Sequence, residues 1–220
     1  MLQSFQFGLF AQESASLDAA WSTLRRVWLD DQAWIDHAPG WVRGSDRLFF
    51  EILASYRWGQ RTRWMYDRRV REPRLTAWWE LGSGEPLRVP ILEEMRLRLS
   101  DRYGEVFDSV GFNLYRSGRD SVAWHGDKIE EEIAEPVVAL VSLGEPRRFL
   151  LRPRGGGRSV SVFLGRGDLL VTGGTTQRTW DHCVPKVARA GPRISVAFRH
   201  GLDRRAYARK RVVEPDDPVG

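Results

Sequence analysis

From residue 47 onward the apolar positions fall in short runs with period-two alternation, bounded by Gly, Pro and charged turns. The runs are RLFFEIL from 47, GFNLY from 111, SVAWH from 121, PVVALVSL from 136, RRFLL from 147, SVSVFL from 159, DLLVTG from 168 and RISVAF from 193. Each reads as a strand, and turns such as RPRGGGRS and GRGD separate them. Two segments follow helical spacing instead. Leu17, Ala20, Trp21, Leu24, Val27 and Trp28 line one face of a helix predicted to start at an Ser16 N-cap. A second helix is predicted over Ile91 to Tyr103, after Pro90 and before Gly104, with Leu92, Met95 and Leu99 on one side. Many short strands with few helices argue for an α+β chain, mainly β: an antiparallel sandwich or jelly roll with helices buttressing one sheet from outside.

Composition narrows this picture. At 220 residues and 42% hydrophobic content the chain can bury one sizeable core, so a single domain is expected over 1–220, with the acidic, Pro-containing end of 203–220 as a tail. No apolar run approaches the ~18 residues that span a bilayer, and MLQSFQFGLF lacks the positive start of a secretory signal. The expectation is a cytoplasmic monomer, and the single Cys183, unable to form an internal disulfide, agrees with a reducing compartment.

The net charge is +5, and all but three of the basic residues are Arg, which by itself says little. The placement says more. Between Arg57 and Arg74 lie seven Arg against Asp67 and Glu72, interleaved with Trp58, Trp64 and Tyr66 and followed by Trp78 and Trp79. Such a window suits a polyanion, with aromatics for stacking, although Trp residues more often plug a core.

Only four histidines occur, and His125 stands two residues before Asp127. In extended chain these project to one face, and His182 lies on a later segment, TWDHCVPK. Two His and one carboxylate with open positions are the ligand set of non-haem Fe(II) oxygenases. A capped turn and a core histidine fit the same spacing. Arg193 and Arg199 in PRISVAFRH share one strand face, and guanidiniums turned into a sheet interior call for an anion.

Taken together, FNLY and DSVAWHGD, then SLG and RRF, then WDHCVPK and PRISVAFR resemble the AlkB family of Fe(II)/2-oxoglutarate-dependent dioxygenases, over about residues 45–200. EPRLTAWW at 72–79 resembles that family's nucleotide-recognition lid, here 55–85. The resemblance implies a double-stranded β-helix and oxidative dealkylation of bases in DNA, with RNA as the other candidate polymer. Iron, 2-oxoglutarate and O2 would be required, and the alkyl group would leave as an aldehyde with succinate and CO2. It also implies roles residue by residue: His125, Asp127 and His182 as iron ligands; Asn113, Tyr115, Arg193 and Arg199 as 2-oxoglutarate contacts; Tyr66, Arg74 and Trp79 as substrate contacts in the lid. Two positions depart from the family pattern. Ser195 replaces a common Asn near the co-substrate, and Ile129 replaces an acidic residue that many repair members use to recognise the base.

Two other functions keep the same residues. An oxygenase acting on a protein or small molecule would retain the iron site but not a nucleic-acid lid, and a nucleic-acid-binding module would retain the lid with a vestigial metal site.

Overall fold

The computed structural model describes residues 14–65 and 68–201. In chain order the elements are β1 (Ser16–Leu17), β2 (Arg25–Trp28), β3 (Ala33–Ala38), β4 (Val42–Arg43), α1 (Ser45–Ser55), β5 (Thr62–Met65), β6 (Arg68–Arg71), β7 (Leu75–Glu80), α2 (Pro90–Tyr103) and β8 (Ser109–Tyr115). The second half adds β9 (Val122–His125), β10 (Val138–Gly144), β11 (Arg147–Pro153), β12 (Val160–Leu164), β13 (Asp168–Gly174), the single turn α3 (Thr176–Thr179), β14 (Trp180–Val184) and β15 (Arg193–Arg199). A seven-stranded sheet in the order β2-β3-β13-β10-β15-β8-β7 faces a four-stranded sheet in the order β12-β11-β14-β9. The result is the expected jelly roll. No helix among the described residues is long and apolar enough to cross a membrane.

Period-two alternation in the large sheet divides its labour. Val110 and Phe112 of β8, Ala139, Val141 and Leu143 of β10, Leu169 and Val171 of β13, and Ile194, Val196 and Phe198 of β15 form one core with Leu48, Phe49 and Ile52 of α1 and Leu92, Met95 and Leu99 of α2. Burying each of the Val, Leu, Ile, Phe and Met side chains among these stabilises the fold by roughly 1.5–3 kcal/mol. The intervening residues face the small sheet. Tyr115 and Leu170 pack there with Phe149, Leu151, Leu164, Trp180 and Val184. Polar residues sit on that same inner face, including Ser142, Arg193 and Ser195, all buried. That placement makes no sense for a core and every sense for a site.

Two elements differ from the sequence expectation. RLFFEIL is not a strand but α1, burying Leu48, Phe49 and Ile52 on one side with Asp46 in its first turn. A short apolar run holds both periods, and the aromatic pair favoured the wrong one. Conversely, 16–28 is not a helix: it forms β1, a turn and β2. Asp18 captures the backbone N–H groups of Ala20 and Ser22 and the Ser22 hydroxyl, the local competition that Asp offers to a helix. Trp21 takes a positive φ of 54°, stacking its ring on Trp41 at 5.3 Å. Leu17, Trp21 and Leu24 still reach the core, whereas Val27 and Trp28 are exposed. The buttress is therefore α1 and α2, the latter started by Pro90 and stopped by Gly104 at φ 72° as its sequence predicts.

Of the segment expected as a lid, only part stands apart from the sandwich. β5 and β6 form a separate hairpin, joined to β7 through a bridge between Gly59 and Thr76. β7 itself is an edge strand of the large sheet. The tail at 203–220 lies outside the described residues.

Candidate functional site

β14 and β9 pair so that His182 stands opposite His125, with ring centroids 4.3 Å apart. Asp127 follows β9, and one ligand atom from each of His125, Asp127 and His182 fits within 4.8 Å of the others. Local contacts aim these groups. His125 Nδ1 lies 2.8 Å from the Ala123 carbonyl, which can only accept, so Nδ1 is the donor, and in the neutral ring Nε2 then carries the lone pair. The Asp127 N–H donates to Gln177 Oε1 at 3.1 Å, and Gln177 in turn donates to Thr172 at 2.8 Å. His182 stacks on Phe149 at 5.1 Å.

The electrostatics favour a cation. Burial pushes His182 down to about 3, which keeps its imidazole neutral and basic toward a metal at neutral pH. Burial alone would raise the Asp127 pKa, but the Arg199 guanidinium 2.9 Å away more than reverses it, so the carboxylate is ionised. Two imidazoles and one carboxylate suit Fe(II).

The adjoining cavity, about 200 Å³, is walled by Val122, Leu140, Phe149 and Leu170 and carries the polar groups Asn113, Tyr115 and Ser195. β8 and β15 align these groups: Arg193 opposes Tyr115 and Ser195 opposes Asn113. Arg193 is completely buried. Its Nε donates to Ser142 at 3.0 Å, while Nη1 and Nη2 find no hydrogen-bond partner among the described residues. Burial pulls its pKa down to about 10 and Tyr115 opposes that, so the guanidinium is charged at neutral pH. A buried cation with two unused donor nitrogens fits a carboxylate from outside the chain, and the neighbouring donors fit the rest of a small dicarboxylate.

The residues expected on the substrate side are Tyr66, Arg74, Trp79 and Ile129. Trp79 is buried, donates to the Glu85 carbonyl at 2.7 Å and belongs to the core; its neighbour Trp78 lines the cavity. Strand alternation decides which of the two faces in. Ile129 is also buried, with a methyl group close to Gly201, and it is absent from the cavity wall, which Lys128 occupies instead. Arg74 does line the cavity, but its guanidinium is engaged by Asn113 and Glu72. Tyr66 lies outside the described residues.

Sequence reading passed over Gly111, Gln177 and Ser142. A Cβ on Gly111 would sit 2.8 Å from Arg199 Nη1 and 3.1 Å from the Trp78 ring, so the bare backbone admits both side chains. The only signal was a glycine inside a strand. Cys183, beside His182, is buried with its pKa raised by burial, the profile of a packing thiol.

Residues 55–199 match the 2OG-Fe(II) oxygenase superfamily. The chain is 33% identical over 182 residues to the human alpha-ketoglutarate-dependent dioxygenase alkB homolog 3, covering 73% of this chain and 64% of that protein. It is 35% identical over 120 residues to the DNA oxidative demethylase ALKBH2 of Arabidopsis thaliana, covering 44% of this chain and 38% of the relative. The chain thus spans less than two thirds of the length of the first relative and less still of the second. With the candidate ligand triad, the buried arginine and these likenesses in view, the chain belongs to the 2OG-Fe(II) oxygenase superfamily as a member of the AlkB family.

Proposed function

We propose that this chain is an Fe(II)- and 2-oxoglutarate-dependent dioxygenase that removes alkyl groups from bases in nucleic acid, DNA above all. The observation that carries the reading is Arg193: a fully buried, charged guanidinium with two unused nitrogens, on the sheet face shared with Asn113, Tyr115 and Ser195. His125, Asp127 and His182 would hold the iron. Bound iron and 2-oxoglutarate would supply the oxidation of an alkyl carbon by dioxygen, giving succinate and CO2 and freeing the alkyl group as an aldehyde.

The chain's own residues do the rest. Gln177 and the Ala123 carbonyl fix the ligand-bearing backbone and the His125 tautomer. Arg193 anchors the distal carboxylate of the co-substrate, and Arg199, paired with Asp127, stands at the metal end. Phe149, Leu140 and Val122 exclude water. Trp78 offers a ring at the cavity wall for an extruded base, and the arginine-rich hairpin offers charge to the phosphates. The names of the relatives, one of them a DNA oxidative demethylase, support nucleic acid as the substrate.

The test is succinate formation from 2-oxoglutarate after anaerobic loading with Fe(II), with and without a methylated oligonucleotide. Turnover stimulated severalfold by the methylated strand, and not by its unmethylated twin, supports the reading. Equal turnover with both would direct the activity to another substrate.

A further inference from the structure

Glu72 and Arg74 flank Pro73 at the point where the arginine-rich hairpin joins β7, and both are buried, at 6% and 9% exposure. Charged residues are seldom so buried unless they serve one another or a site. Backbone contacts pin this corner on two sides. The Glu72 N–H donates to the Arg61 carbonyl at 2.8 Å, and the Ser121 N–H, at the approach to β9, donates to the Pro73 carbonyl at 2.8 Å. The corner is thus tied both to the hairpin and to the strand that ends in His125.

From it the Arg74 guanidinium reaches inward. Nη2 pairs with Glu72 Oε2 at 3.0 Å, and Nε donates to Asn113 Oδ1 at 2.9 Å. Arg has donors only. The Asn113 atom facing Nε must therefore be the oxygen, and the amide NH2 is turned to the other side. A flipped amide would oppose N–H to N–H and forfeit a charge-assisted hydrogen bond. Asn113 lines the cavity.

We propose that Glu72 and Arg74 act together as a positioning pair that locks the Asn113 side-chain amide as a hydrogen-bond donor toward the anionic co-substrate. This inference rests on the functional reading above, and it reassigns Arg74 from the nucleic-acid contact expected of the lid to the support of the co-substrate pocket. Glu72 holds the guanidinium in plane, Arg74 selects the amide orientation, and Asn113 makes the contact.

The experiment is calorimetric titration of 2-oxoglutarate into Mn(II)-loaded protein, for wild type, Arg74→Met, Asn113→Ala and the double variant, with Mn(II) affinity read separately by electron paramagnetic resonance. Arg74→Met should weaken 2-oxoglutarate about tenfold, the size of one lost charged hydrogen bond. Mn(II) affinity should hold, because Arg74 touches no ligand of the metal; a general loosening of the fold would lower both. The double variant should bind no worse than Asn113→Ala alone, since the two residues act on one bond. Glu72→Gln, which keeps the shape of the corner, should give a smaller loss in the same direction and covers the case in which Arg74→Met does not fold. Unchanged 2-oxoglutarate affinity in Arg74→Met or, if that variant is unfolded, in Glu72→Gln overturns the inference, as does strict additivity in the double variant. Wild-type protein that binds Mn(II) but takes up no 2-oxoglutarate overturns the functional reading and this inference with it.

Discussion

Arg199 Nη2 holds Asp127 Oδ1 at 2.9 Å, joining a residue of β15 to a carboxylate of the candidate metal triad. The arginine reaches it because Gly111 on the neighbouring strand has no side chain, and Trp78 closes over the same glycine. The candidate metal triad, the strand that bears Arg193 and Ser195, and the cavity wall thus meet at one backbone position. Gly111→Ala should push Arg199 aside, let the Asp127 pKa rise, and weaken divalent metal about tenfold, the scale at which loss of a ligand's supporting contact is felt. Mn(II) titration followed by electron paramagnetic resonance reads this directly.

Arg193 is kept charged in a dry interior with two nitrogens unused. Replacing it with Met removes that desolvated charge and fills similar volume, so the unliganded protein should become more stable, by about 2–4 °C in Tm for each kcal/mol gained in a chain of this size. The same variant should lose co-substrate affinity by a factor of about thirty or more, since truncating one partner of a buried charge pair costs about 2–5 kcal/mol. Scanning calorimetry and 2-oxoglutarate titration on one preparation test both halves. A residue that only holds the fold would lower Tm.

Among the described residues that wall the cavity, Asp127 is the one acid, and it is paired, whereas Arg61, Arg74, Lys128 and Arg199 are all present. A base made cationic by methylation meets no spare carboxylate there. The ratio of kcat/KM for a cationic lesion over a neutral one, 1-methyladenine over ethenoadenine, should rise about threefold to tenfold in Lys128→Asp, the range of a partly screened charge reversal. Ile129→Asp should leave the ratio alone and lower stability instead, because it buries a carboxylate beside Gly201.

Hairpin charge should show in the salt dependence of binding. Arg69 and Arg71 are exposed on β6 and Arg61 stands at its base. Changing all three to Gln should flatten the slope of log affinity against log salt for a single-stranded oligonucleotide by up to about 2, at about 0.7 per phosphate contact. Fluorescence anisotropy across a salt series is sufficient.

Much of the site was legible in the chain because its parts obey strand alternation. Asn113 and Tyr115, and Arg193, Ser195 and Arg199, are spaced by even numbers, so one face collects them all. His182 opposite His125 required only that two late segments pair. The failures have equally local causes. RLFFEIL carries helix and strand periods at once, and only the α1 packing onto β10 decides between them. The segment from Ser16 has helical spacing, but Asp18 and a positive φ at Trp21 break it. Trp78 and Trp79 are adjacent, so identity says nothing about which faces the cavity; the register of β7 against β8 does. Gln177 supports Asp127 from 50 residues away in sequence, a contact that no spacing rule anticipates.

The most direct measurement is mass spectrometry of a single-stranded oligonucleotide carrying one alkylated base, after incubation with Fe(II)-loaded protein, 2-oxoglutarate and air. Over a panel that includes 1-methyladenine and ethenoadenine, wild type should convert at least one lesion to the unmodified base with succinate formed alongside, and His182→Ala should convert none while keeping the fold. Every lesion left intact by wild-type protein that turns over 2-oxoglutarate would contradict the dealkylation of bases, and repair by His182→Ala at the wild-type rate would contradict the metal centre.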